Sequence, residues 1–169
     1  MAEQQPAEDP ITTRIGQAVI LHRGGDREEA RNRLTVLWGE LEHGGGTFHR
    51  CAVAHYLAAA QEDAESALRW DRRALAAADA LTWEEPGSDP ADVVRVRALY
   101  PSLHLGLAAA HHRLGEPVAA RRELVLARRA VGALPESEHG DGVRAAVDRL
   151  ERRLASPVPG PVPPRRQLP

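Results

Sequence analysis

The chain has 169 residues, enough for one domain with short tails and too few for two of ordinary size. Its 22 basic residues nearly balance 24 acidic ones, a formal net charge of -2, so it lacks the positive excess that a general nucleic-acid or anionic-membrane binder needs. One cysteine, Cys51, excludes an internal disulfide and any Cys-rich zinc framework.

The aromatic fraction is only 4%, while alanine comes in runs such as Ala58-Ala59-Ala60, Ala76-Ala77-Ala78 and Ala108-Ala109-Ala110. That composition predicts closely packed helices and argues against a β-sandwich or barrel. Every basic residue is arginine and lysine is absent. Arginine codons are GC-rich and lysine codons are not, so this bias points to a bacterial source of actinobacterial type. Residues 1–9 are acidic and polar, without the apolar core of a secretory signal, and are expected to be a disordered tail. No run of about 18 apolar residues occurs, so no membrane span is predicted and the cytoplasm is the expected compartment.

From residue 10 the apolar periodicity is helical. Ile11, Ile15, Ala18, Val19 and Leu21 form a first stripe that ends at Gly24-Gly25. Asp26 with Glu29 makes a capping-box-like start for a second helix through Ala30, Leu34, Leu37, Trp38 and Leu41, which ends at Gly44-Gly45-Gly46. Thr47 is placed to cap a third helix through Cys51, Ala54, Leu57 and Ala58, and Asp63 a fourth through Ala67, Trp70, Ala74, Leu75 and Ala78. Leu81 to Asp89, with Pro86 and Gly87, reads as a loop. Asp89 and Pro90 start a fifth helix, and Pro101 predicts a kink or restart near Leu99-Tyr100. A sixth helix is expected from about Glu116 to Val131, and a seventh carries Val143, Val147, Leu150 and Leu154. Residues 156–169 are proline-rich and are expected to be disordered; Pro161 to Arg166 matches a PxxPxR polyproline pattern, a minor docking signal.

One internal repeat aligns without gaps at an offset of 90 residues: Leu21 to Leu34 over His111 to Leu124. The His-Arg pair, the turn glycine, the following acid, an alanine, an arginine and a leucine all recur. A weaker copy, Glu62 to Trp70, follows the first by 37 residues. This spacing resembles the tetratricopeptide repeat, with small residues in the first helix, a turn glycine followed by an acid, and small residues where the second helix packs. Leu107-Ala108, Gly115-Glu116, Ala120, Leu124 and Ala127 match that pattern; Ala18, Gly25-Asp26, Ala30 and Leu34 match it in the first copy, where Leu37 replaces a small residue. In the second copy Ala67 and Ala74 match, Glu62 replaces the glycine, and Asp71 stands at an apolar position.

The resemblance implies an all-α solenoid of about three helical hairpins with a C-terminal capping helix, spanning residues 10–155. It further implies a concave wall built from the first helix of each hairpin, carrying Thr12, Ile15, Val19, His22 and Arg23, then His49, Ala52 and Tyr56, then Ser102, Leu105, Ala109, His112 and Arg113. Such a wall suits a peptide or partner helix, with arginine taking a carboxylate. The reading is therefore a non-enzymatic interaction module whose partner is another protein or peptide, without a cofactor, nucleic acid or membrane, and compatible with homo-oligomers. A regulatory sensor of a small molecule or signalling peptide is the alternative, and an enzyme with converging histidines the third.

The histidines motivate that third reading. Cys51 and His55, near His49, fall one turn apart on a helix, and His104, His111 and His112 cluster on another. Neither group contains HExxH, and no GxSxG, Walker A or GxGxxG motif is present. The expectation is hydrogen-bonded or solvated histidines, no metal and no catalytic residue, with Cys51 a small core residue.

Overall fold

Seven α-helices make up the described residues, joined by turns whose chemistry is visible in the sequence. The computed structural model describes residues 9–82 and 89–156. The helices are α1 (Pro10–Arg23), α2 (Arg27–Glu42), α3 (Thr47–Ala60), α4 (Ala64–Thr82), α5 (Pro90–Arg113), α6 (Pro117–Ala130) and α7 (Glu138–Ala155), with a 3-10 turn Val131–Ala133 after α6. Four aspartates begin helices as side-chain caps. Asp9 accepts from the Ile11 amide at 3.0 Å, Asp26 from Glu29 at 3.2 Å, Asp63 from Ser66 at 2.6 Å and Asp89 from Ala91 at 2.8 Å. Each satisfies one of the amides that a helix start leaves unpaired. α3 differs from expectation: Gly46 occupies its cap position, Thr47 is already its first helical residue, and no side chain caps it.

The 90-residue repeat recurs bond for bond at two helix ends. After α1, Gly24 N–H donates to Ile20 O at 2.9 Å, Gly25 to His22 at 3.2 Å, Asp26 to Leu21 at 3.0 Å and Ala30 to Asp26 at 3.2 Å. After α5, Leu114 donates to Ala110 at 3.0 Å, Gly115 to His112 at 3.1 Å, Glu116 to His111 at 2.9 Å and Ala120 to Glu116 at 3.0 Å. This pairing is the Schellman motif, in which the residue after the helix turns left-handed so that the last carbonyls find donors. Gly25 and Gly115 have φ of 96° and 74°, values that a Cβ disfavours. The α3–α4 turn, where no glycine stands, takes a different route through extended Gln61.

Each helix packs on the next in the chain, and α1 also touches α3, α3 touches α5 and α5 touches α7. Among the described residues the backbones of α2 and α4 do not approach closely, nor do those of α4 and α6; α2 and α4 meet only through side chains. The odd-numbered helices therefore share one side and the even-numbered helices lie outside them. Alanines occupy the close approaches: Ala18, Ala30, Ala74, Ala108, Ala120 and Ala127 are all fully buried. Between them sit Leu34, Leu37, Leu57, Leu103, Val53, Val96 and Val147, the largest fully buried aliphatic side chains, each contributing roughly 1.5 to 3 kcal/mol on burial. Trp38 and Trp70 meet edge to face at 5.1 Å between ring centroids and pack, half-buried, on two core clusters.

At Pro101 one of the two expected outcomes, a restart, does not occur. α5 runs unbroken from Pro90 to Arg113, without a restart near Leu99-Tyr100. Pro101 is fully buried, so packing on both sides holds the helix across the hydrogen bond that proline removes. Of the segments expected to be disordered, 1–9 and 156–169, all but Asp9 and Ser156 lie outside the described residues, as does most of the Leu81 to Asp89 loop.

Candidate functional site

The side chains expected on a common wall fall into three places. At the N-terminal end, Thr12 and His49 join a paired cluster. His49 pairs with Asp9, Thr12 Oγ1 lies 3.4 Å from His49 Nε2, and Arg95 donates to Thr12 at 3.3 Å while its guanidinium stacks on Phe48 at 3.8 Å. Every group there is engaged within the chain. Ile15, Ala52 and Ser102 are buried and Val19 packs against the core, so none of these presents a free surface.

In the middle of the odd-helix side, Arg23 and Leu105 line an open groove of about 450 Å3 with Glu138, His139, Gly142, Val143 and Ala146. The groove is bounded by α1, α5 and α7. Half-buried Tyr56 is close by: burial pushes its phenol up while the charge of Arg23 pulls it partly back. Arg23 is exposed and makes no ion pair or hydrogen bond among the described residues. A Cβ added at Gly142 would meet nothing within 4 Å, which leaves the α7 side of the groove open. The sequence marks α7 as a capping helix and not as a wall of this groove; Gly142 within an amphipathic helix is the available signal.

The third place is a smaller pocket of about 160 Å3 between α3, α4 and α5, lined by His55, Asp71, Gly106, Ala109 and Arg113 among others. Here the two His-Arg pairs diverge. Arg113 donates to the Glu62 carbonyl at 2.5 Å, across the α3–α4 turn, whereas Arg23 has no such bond. His22 donates through Nε2 to the Ala59 carbonyl at 3.1 Å, so it too ties the end of α3, and His112 is exposed.

Asp71 is 4% exposed, and its Oδ1 has no hydrogen-bond partner. His55 Nδ1, also unsatisfied, lies 3.7 Å away, too far for a hydrogen bond. Burial pushes the Asp71 carboxyl up, and the neighbouring His55 offsets part of that rise.

The other histidines have partners. His104 pairs with Glu123 at 2.8 Å, His111 with Glu116 at 2.5 Å, and His43 donates to the Gly39 carbonyl at 3.0 Å. Among the described residues no three His, Cys, Asp or Glu side chains gather to hold a metal. Cys51 is fully buried, and that burial pushes its thiol up to about 12, so it stays protonated near neutrality. Among the described residues no helix is long and apolar enough to cross a membrane. No family model, curated protein or solved structure matches this chain.

Proposed function

We propose that the chain is a non-enzymatic interaction module, a solenoid of three hairpins (α1–α2, α3–α4 and α5–α6) closed by α7, of the tetratricopeptide-like kind. The contact order between helices supports that arrangement, as do the buried alanines and the two matching glycine turns. Its binding surface is the groove bounded by α1, α5 and α7, and the carrying observation is the free guanidinium of Arg23 beside apolar Leu105 and Val143. Arginine presents a planar fork to a carboxylate, so an extended peptide with an acidic side chain or a terminal carboxylate fits this surface. Glu138 on the opposite side gives the groove its polarity, favouring a partner whose charges alternate along its length.

A small-molecule regulatory sensor is the second reading, carried by the groove volume, which lies within the range of ligand sites. Affinity capture from the native host with wild type, Arg23→Ala and Leu105→Glu tests the first reading. A partner retained by wild type and lost with both variants is expected, with thermal unfolding unchanged for Arg23→Ala. Equal capture by all three removes the groove from the binding surface.

A further inference from the structure

We propose that the pocket between α3, α4 and α5 binds a primary alkylammonium group, held at the carboxylate of Asp71. The acid comes from α4, an outer helix, and reaches between α3 and α5 because Gly106 has no side chain. A Cβ at that glycine would lie 2.7 Å from Asp71 Oδ2 and 2.8 Å from Oδ1. Asp71 is thereby buried at the base of a cavity in which its Oδ1 has no donor, although native proteins pair nearly all their buried polar atoms. His55 Nδ1 faces the same oxygen at 3.7 Å, beyond hydrogen-bond reach, and likewise makes no hydrogen bond. The chemistry that completes this base is a compact, charged donor with more than one N–H, which an ammonium group supplies.

The walls fix the rest of the guest. Ala58, Ala67 and Ala109 give the cavity an apolar lining suited to an unbranched methylene stem. About 160 Å3 is below the size of drug-like sites, so an aromatic or branched body is excluded while a four-carbon stem fits. Arg113 also lines the cavity, with its guanidinium donating to the Glu62 carbonyl. Two sources share this chemistry, a free alkylamine and a lysine side chain presented by a partner. The site does not depend on the groove at α7.

The test uses the full chain and three probes: n-butylammonium, the uncharged n-butanol, and a capped Ala-Lys-Ala peptide. Binding is followed by amide chemical shifts, including that of Gly106, and by calorimetry. Butylammonium or the lysine peptide is expected to saturate the site, with butanol bound at least about tenfold more weakly, as for loss of a charge-assisted hydrogen bond. Binding of butylammonium alone assigns the site to a free amine, and binding of the peptide, with or without butylammonium, assigns it to a lysine side chain. Asp71→Asn, close in shape, is expected to weaken the bound amine about tenfold or more. Ala109→Leu, which fills the cavity from α5, is expected to abolish binding while Asp71 is unchanged. No saturation by either amine up to tens of millimolar, equal binding of butanol, or undiminished binding by folded Asp71→Asn would each overturn the proposal and leave a pocket that holds water alone.

Discussion

Replacing Ala120 by leucine tests the close approach of α5, α6 and α7 most directly. Ala120 is fully buried in a cluster with Ala108, Leu124, Ala127 and Val147, of which Ala108, Ala127 and Val147 are also fully buried. Leucine adds three carbons at a point where small side chains set the distance between helix axes, and no neighbour has exposed volume to give up. Overpacking of this kind costs about 1 to 3 kcal/mol, while the helix propensities of alanine and leucine differ by only a few tenths. For a chain of this length each kcal/mol moves the midpoint by about 2 to 4 °C, so Ala120→Leu should melt roughly 2 to 12 °C below wild type. Ala76→Leu on the exposed side of α4 is the control and should melt within about 1 °C of wild type, as surface substitutions usually do. Ala110 would not serve, although its place in an alanine run suggests tolerance, because it is 3% exposed and packs with Leu68 and Leu107. Thermal circular dichroism of the three proteins decides the matter. Equal midpoints for Ala120→Leu and Ala76→Leu would refute the packing argument.

Two further outcomes follow from single residues. Gly115→Ala forces a Cβ onto a φ of 74° and should cost about 1 to 2 kcal/mol in urea unfolding, with Gly115→Asn costing less; an unchanged urea midpoint for the alanine variant would contradict the left-handed turn. Asp71 has its carboxyl pushed up by burial, so the folded chain holds a proton that the unfolded chain releases, and stability should fall as pH rises from the ordinary aspartate range through the raised value. Asp71→Asn removes that loss: its melting temperature should exceed that of wild type at neutral pH and converge with it in acid, and a constant difference across the titration would exclude burial as the cause.

The parts legible in the sequence are those governed by a local rule. Asp9, which the sequence reading left in the tail, and Asp26, Asp63 and Asp89 cap helices because a short carboxylate reaches an amide two or three residues on. Gly25 and Gly115 mark turns because few other residues take a positive φ. Where packing opposes the local rule, the sequence misleads. Pro101 suggests an interruption, yet it lies fully buried in a continuous helix, and Asp71 reads as a lapse in an apolar pattern although it is the buried base of a pocket. The juxtaposition of Asp71, His55 and Gly106 was not legible, since they stand on three helices and no spacing along the chain relates them. The same holds for the groove, whose free arginine is distinguished from Arg113 only by what lies across from each.

Close backbone packing, which joins only helices one or two places apart and leaves the Arg95–Thr12 hydrogen bond between α5 and α1 as a longer-range side-chain link, has a kinetic consequence. No helix must wait for a distant part of the chain before it can pack, so the entropy of closing each loop is small and is recovered at once by the next contact. Folding can begin at any adjacent pair and spread in both directions. The terminal helices have neighbours on one side only, so they can open without disturbing the centre, and their amides should exchange with solvent before those of α3 to α5. A groove whose walls come from α1 and α7 is therefore built from the two ends that open most readily, with α5 as its fixed floor. Widening and narrowing of that groove requires no unfolding of the middle of the molecule.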